Sequence, residues 1–363
     1  MNNKIKRYLI STTAHLGDFI WATSAIAILK QTFPNIKITV LAPKSISELI
    51  ISNPVIDDVI YISYSSNDFK SKIKRLFLSI TLIIKIFFKN FDTAIILDSS
   101  RMSVLISKLA MIPNIVGGDL YPFGYNFENP ISKYYTHVVK LHKNQDFIHA
   151  SMRFQTIIKS YMNTSNNAMP VLPGSSKYRQ KALELIRNNN KIAILLCIKG
   201  SENTSHIYNI KNFKNIIDIL NKKFSNLDFY IVGTKQDFNY AQQLTTIKNV
   251  YNICGKTSLL QLRELCKLSK LLISLDTGTI HLAATTNINI ISLHGASSYK
   301  NTGPMSYISY PIYHNTNCSP CFYKRFVQNI DCPTYPNPKC LAGIAPKEIA
   351  DKAIKILENN LNE

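Results

Sequence analysis

Apolar residues in this chain arrive in two kinds of run. Short continuous runs, bounded by polar or turn-forming residues, predict buried strands at 5–11, 36–41, 59–63, 91–97 and 114–117. Between them, apolar positions recur at helical spacing. Ile20, Trp21, Ala25, Ile28 and Leu29 mark a helix over 18–33. Further helices are expected at 45–52, stopped by Asn53-Pro54, and at 70–91, 102–110 and 149–161. Alternating strand and helix predicts a doubly wound, mostly parallel α/β domain.

Residues 162–175 are rich in Asn, Ser and Pro and read as a linker. The alternation then restarts. Strands are expected at 192–197, 228–232, 250–253 and 271–275, and helices at 178–188, 210–223, 238–244 and 258–268. The stretch 276–297 reads as loop, short helix, turn, buried strand and glycine loop. A last helix, 346–361, opens on Pro346, which suits a first helical turn. The expected domains are 1–165, 166–345 (with a cysteine-rich segment at 318–340) and a terminal helix at 346–363. Two such domains in tandem leave a cleft suited to a two-substrate reaction.

The chain has 363 residues, 46% of them hydrophobic and 18% charged, so it can bury sizeable cores and is not a disordered chain. Lys plus Arg outnumber Asp plus Glu by 42 to 22, a formal charge of +20. That excess favours anionic partners: nucleic acid, phosphorylated small molecules or an anionic membrane surface. No RNA-binding signature or zinc-finger helix accompanies it, so no nucleic-acid partner is expected. The basic N-terminus has no cleavable-signal pattern. Residues 70–91 form the most membrane-like stretch, but Lys85 interrupts an apolar run too short to span a bilayer. It reads as a crossover helix with a solvated basic edge. A peripheral contact with anionic headgroups is the alternative.

In an open parallel sheet, ligands sit beyond the carboxyl ends of the strands. The first such loop, 11–21, lacks a Gly-rich dinucleotide fingerprint but carries Gly17-Asp18 at a helix start. Asp18 suits a helix cap, and it suits a general base facing the cleft. In the second domain, Asp276, Thr277, Gly278 and Thr279 open a helix whose free N–H groups can hold phosphate, with His281 one turn in. The same residues also suit an ordinary capped helix. After strand 192–197 come Lys199, Ser201 and His206, which can neutralise or hold phosphate oxygens. Gly233 ends the next strand, and Asp237 can accept from ribose hydroxyls or simply lie solvated.

Of seven cysteines, Cys197, Cys254 and Cys266 fall in core elements. Cys318, Cys321, Cys332 and Cys340 form C-x2-C-x10-C-x7-C in a proline-containing segment of little periodicity. Four thiolates can bind zinc tetrahedrally and clip a coreless loop, with no open position for catalysis. Disulfides and metal-free thiols are the alternatives.

Together the motifs resemble glycosyltransferase family 9, the ADP-heptose:lipopolysaccharide heptosyltransferases. The resemblance rests on Leu16-Gly17-Asp18, Phe33-Pro34, Asn53-Pro54, Asp276-Thr277-Gly278 with His281-Leu282-Ala283-Ala284, Leu293-His294-Gly295 and Gly303-Pro304. It implies a GT-B fold: two Rossmann-like domains facing a cleft, acceptor in the first and sugar nucleotide in the second. It implies an inverting transfer that needs no metal cofactor. Asp18 matches the family's acceptor-activating aspartate, with Thr13 and Gly17 on the acceptor side. Asp276, Thr277, Gly278, Thr279 and His281 match the diphosphate segment. The terminal helix is expected to pack back on the first domain. One departure stands out: His206 occupies the place of a usual lysine. Histidine is mostly neutral at physiological pH, so His206 works protonated, Lys199 or Lys211 replaces it, or the donor differs.

The expected protein is a cytoplasmic enzyme, at the inner face of the inner membrane. It would transfer a heptose or related sugar from an ADP-linked donor, ADP-heptose first, to a lipopolysaccharide core or other surface glycan, as a lipid-linked or phosphorylated oligosaccharide. The alternatives are another nucleotide sugar on the same fold, or a non-catalytic nucleotide- or glycan-binding protein.

Overall fold

The computed structural model describes residues 5–12, 15–62, 69–121, 127–141, 148–187, 190–200, 207–322, 332–334 and 337–359, with backbone only for 69–78. The chain divides into two compact units, Met1–Pro173 and Gly174–Glu363. The division falls inside the expected linker.

The first unit holds β1 (Arg7–Ser11), α1 (Leu16–Thr32), β2 (Lys37–Pro43), α2 (Ser47–Ile51), β3 (Asp58–Ile62), α3 (Phe69–Phe88), β4 (Thr93–Ile96), α4 (Arg101–Leu109), β5 (Asn114–Gly118), β6 (His137–Val139) and α5 (Ala150–Met162). Its sheet runs β3-β2-β1-β4-β5-β6, every neighbour parallel. Strands covered on both faces need unbroken apolar runs, and β4, Thr-Ala-Ile-Ile, is buried at every position. One face packs on α3 and α4 through Leu9, Ile60, Ile86, Ile96, Val104 and Ile115. α1 is buried almost all round and packs on α5. The two approach closely because serines meet there, Ser24 Oγ lying 2.9 Å from Ser151 Oγ.

The second unit repeats the plan. It holds α6 (Ser176–Leu183), β7 (Ile192–Cys197), α7 (Ile210–Lys223), β8 (Leu227–Ile231), α8 (Phe238–Ala241), β9 (Val250–Asn252), α9 (Leu259–Leu268), β10 (Leu271–Leu275), α10 (Gly278–Ala284), β11 (Asn289–His294), α11 (Tyr299–Thr302), β12 (Ser309–Tyr313), α12 (Lys339–Ala342) and α13 (Pro346–Asn359). Its sheet order is β12-β11-β10-β7-β8-β9, again all parallel. Counted within each unit, both sheets have the Rossmann order 3-2-1-4-5-6. Each therefore has one switch point, between β1 and β4 and between β7 and β10, where ligand crevices form.

The doubly wound α/β architecture is as expected, in a purely parallel form among the described strand pairs. Two edge strands were not predicted. β6 is three residues long and half exposed, and β12 carries Pro311, which suits an edge strand. The helix expected over 178–188 stops at Leu183. The basic helix stops at Phe88, with Asn90 in the left-handed region (φ 49°) ending it. α13 buries Ile349, Ala350, Ala353, Ile356 and Leu357 in the second unit's core, where it packs on α7.

Candidate active site

At the carboxyl edge of the first sheet, four residues separate the end of β1 from the start of α1. His15 is its N-cap, in extended conformation, and Asp18 is the third helical residue. The Asp18 carboxylate folds back and accepts the His15 N–H at 2.7 Å. This is half of a capping box, so the capping role is real. The same fold-back buries the carboxylate, leaving Asp18 6% exposed. Burial pushes its pKa up to about 6; the His15 N–H and the His15 side chain oppose the rise, and the negative charge of Asp98 adds to it.

Asp98 follows β4, the strand beside β1. Its two oxygens accept from Ser11 Oγ at 3.1 and 3.0 Å, and one also accepts the Ser100 N–H at 3.1 Å. Ser11 Oγ lies 2.7 Å from Ser103 Oγ as well. The loop that presents Asp98 is held tightly. Ser99 has a left-handed backbone (φ 52°), and its hydroxyl accepts from Asn129 Nδ2 at 3.0 Å. Asn129 Nδ2 also reaches Gly118 O at 3.1 Å and the Tyr135 hydroxyl at 3.2 Å. The Tyr135 ring lies against Gly117, where a Cβ would have no room. Two carboxylates thus stand at the switch point of the first sheet. Gly17 is a buried helical residue one place before Asp18. Thr13, Ser201 and His206 lie outside the described residues.

The second edge is built from hydroxyls, a thiol and a lysine. Thr277 caps α10, its Oγ1 accepting the Thr279 N–H at 3.2 Å. Cys197 ends β7, the neighbouring strand, with its sulfur 3.7 Å from both Thr277 Oγ1 and Thr279 Oγ1 and 3.8 Å from Lys199 O. Burial raises the Cys197 thiol pKa, so it stays a neutral packing group. Gly278 opens α10, and His281 is buried in the same helix. Asp276 turns towards the next strand's loop: it accepts from Ser297 Oγ and lies 3.7 Å from His294 Nδ1. His294 Nε2 is 2.9 Å from Ser292 Oγ. Asp237 accepts the Thr234 N–H and Oγ1 at 2.8 and 2.7 Å and pairs with Lys199 Nζ at 3.4 Å. Gly233 is bare because a Cβ there would press on Asp237 and Cys254.

The structure therefore joins Lys199 to Asp237, and Thr277 to Thr279 through Cys197. Sequence reasoning did not single out Asp98, Ser11, His294 or Ser297 as site residues. The available signal was an acid directly after an apolar strand, as in Leu97-Asp98. Of the four clustered cysteines, Cys340 is buried and Cys318 exposed. Burial, and then the nearby Cys321, Cys318 and Cys332 thiols, push the Cys340 thiol up to about 11. Among the described residues, no three His, Cys, Asp or Glu side chains are gathered as a metal shell.

The family described as glycosyltransferase family 9 (heptosyltransferase) matches residues 81–329, more than half of the chain. This protein belongs to glycosyltransferase family 9. It is a glycosyltransferase, and its two parallel six-stranded sheets are the two domains of the GT-B fold. The chain is 22% identical over 286 residues to lipooligosaccharide heptosyltransferase 2 of Campylobacter jejuni subsp. jejuni serotype O:2, covering 75% of this chain and 86% of that one. E. coli ADP-heptose LPS heptosyltransferase II superposes with a TM-score of 0.77 at 18% identity, covering 98% and 99% of the two chains. The iron-containing dodecameric glycosyltransferase TibC of enterotoxigenic E. coli H10407 does so with a TM-score of 0.58 at 12% identity, covering 99% and 81%.

Proposed function

We propose that this family 9 glycosyltransferase moves a heptose from an ADP-linked donor to a hydroxyl of a lipopolysaccharide core or related surface glycan, with inversion and with no metal in the chemistry. The observation that carries the reading is Asp18, a buried carboxylate at the first sheet's switch point with its pKa lifted to about 6. A base so poised is mostly ionised at neutral pH, yet more basic than a free aspartate. In this reading Asp18 takes the proton of the acceptor hydroxyl, with Thr13 and Gly17 on the acceptor side. That oxygen bonds to the anomeric carbon as the bond from that carbon to the diphosphate breaks. The electron pair leaves on the diphosphate, and one displacement inverts the carbon.

The departing charge is met in this reading by Thr277, Gly278, Thr279 and His281, with Ser201, His206 and Lys199 completing the donor side. Lys199 and Lys211 are the described lysines on either side of position 206, where the family has its lysine. Gly233 and Asp237 serve the nucleotide end. Asp276 contributes from behind, since Ser297 and His294 engage its carboxylate and a carboxylate facing a diphosphate would repel it. ADP-heptose is supported by the names of the relatives. A different nucleotide sugar is the second reading, favoured by histidine at position 206. Reaction at the cytoplasmic face of the inner membrane follows from a nucleotide-linked donor and a lipid-linked acceptor.

A melting-point screen of ADP-, UDP-, GDP- and CMP-linked sugars tests the donor, because a ligand bound by the native state raises the melting temperature. ADP-heptose should give the largest rise, and NMR of the product should show the inverted anomer. A larger rise with a UDP- or GDP-sugar would support the second reading. No rise and no transfer with any of them would sink both.

We also infer that Cys318, Cys321, Cys332 and Cys340, which are not gathered as a metal shell in this structure, close around a structural metal, zinc first, apart from the chemistry. The four thiols suit zinc or iron, and the TibC relative contains iron. Elemental analysis of the purified protein should find about one such atom per chain; none would overturn it.

A further inference from the structure

Helix α3 connects β3 to β4 and packs on their sheet, as a crossover helix should, but the outer edge of its described half is apolar. Ile86 is buried on the sheet, with Leu82 and Ile83 half-buried beside it. The opposite side is also apolar. Ile80, Ile84, Phe87 and Phe88 are all exposed, at the i, i+4, i+7, i+8 spacing of one helical stripe. A soluble domain normally puts polar residues there. The neighbouring helix α4, which packs beside α3, repeats the anomaly: Leu105 and Leu109 point outward, and Met111 follows at 74% exposure, equal to that of Phe88. Large apolar side chains scattered singly need no explanation, but six on two adjacent helices, with Met111 just beyond, do.

The sequence through this face is mainly basic, with Lys89 already paired to Asp58 at 2.6 Å. From residue 69 to 111 the sequence has eight basic residues, Lys70, Lys72, Lys74, Arg75, Lys85, Lys89, Arg101 and Lys108. Its two acids face elsewhere: Asp98 is buried at the switch point, and Asp92 accepts the backbone N–H of Arg7 at the sheet. At the rim, Lys108 and Lys133 sit over the exposed ring of Tyr134, at 5.1 and 5.2 Å from its centre. Among the described residues no helix is long and apolar enough to cross a membrane.

We propose that the outer face of α3 and α4 is a peripheral docking surface for an anionic lipid bilayer. Ile80, Ile84, Phe87, Phe88, Leu105, Leu109 and Met111 enter the acyl boundary, while Lys85, Arg101 and Lys108 meet the headgroup phosphates. Both contributions are needed. Apolar insertion supplies the salt-resistant part of the binding, and the lysines and arginine supply selectivity for anionic lipid. Phe87, Phe88, Leu109 and Met111 lie at the ends of helices that run back to the amino edge of the sheet. They are therefore away from Asp18, and the face is separate from the candidate chemistry.

Vesicle flotation with the full chain tests this. The probes are vesicles of phosphatidylcholine alone and of phosphatidylcholine with phosphatidylglycerol, each at low and high salt. The wild type should float with the anionic vesicles only, and part of that binding should survive high salt. The pair I84S/F88S, and separately L105S/L109S, should each weaken binding about tenfold or more. Tyr307→Ser, a control at an exposed residue of the second unit, should leave binding unchanged. All variants should keep their circular dichroism spectrum and their turnover on a soluble acceptor fragment. Flotation of the serine pairs equal to wild type would overturn the proposal, as would binding lost completely at high salt. So would a wild-type dimer that the serine pairs convert to monomer without any vesicle binding, because a second copy of the chain would then cover the face.

Discussion

The carboxyl edges of the two sheets share one topology and carry opposite chemistry. At the first, the crevice between β1 and β4 gathers two carboxylates, Asp18 and Asp98, over Ser11. At the second, the crevice between β7 and β10 gathers Thr277, Thr279, Cys197 and the Lys199–Asp237 pair. The strand order makes a crevice in both places, and the residues after each strand decide its sign. Burial, with a like-charged neighbour adding to it, holds one carboxylate basic at the first edge. At the second, the carboxylates are turned away: Asp276 to Ser297 and His294, Asp237 to Thr234 and Lys199. The first edge suits proton removal, and the second suits an anion.

The largest effect expected from breaking this contrast is at Asp18. Asp18→Asn keeps an acceptor for the His15 N–H and removes the base. Transfer should fall on the order of a thousandfold while the variant still melts cooperatively and no less stably than wild type; a loss below tenfold would end its role as base. Next is the second edge. Thr277→Ala removes the α10 cap and a hydroxyl, and should cost about 1 kcal/mol of stability and weaken donor binding several-fold. Acceptor KM and the pH profile should not move. If they did, the two edges would not be chemically distinct.

A smaller effect separates the causes of Asp18's basicity. With the ionised form as the proposed base, kcat/KM should rise through about pH 6 and level off above it. Asp98→Asn removes a like charge, so the acid limb should move to lower pH. The move should be less than the whole rise, because burial, the larger cause, remains. An unmoved limb would leave burial as the whole explanation. The smallest effect is in stability. Asp18's folded pKa lies above its unfolded value of 3.8, so its contribution is fully present below about pH 4 and is lost as pH rises through about 6. Asp18→Asn should therefore gain on wild type between pH 4 and pH 8, by on the order of 1–3 kcal/mol, measured by melting at both pH values.

Much of this arrangement was legible in the sequence. Runs such as Leu271–Leu275 and Ile192–Cys197 announce buried parallel strands, and their spacing announces the tandem plan. Asp18 and the 276–281 segment were found because each opens a helix directly after such a run. Asp98 was not, because its importance depends on β4 lying beside β1, and strand order is a long-range fact. His294 and Ser297 escaped for the same reason, since β11 must neighbour β10 before they reach Asp276. The outer stripe of α3 was read as a helix, but which of its apolar sides met the sheet required the packing.

Gly117 gives the first edge a control point that never touches substrate. The Tyr135 ring occupies the space its side chain would fill, and Tyr135 shares Asn129 with Ser99, the residue before Ser100 and after Asp98. A single methyl at 117 would shift the ring, loosen the Asn129 clasp and let the Asp98 loop relax. The proton affinity of Asp18 would drift with it. With Asp18 as the proposed base, its tuning is open to inheritance through a buried backbone position that has no chemistry of its own.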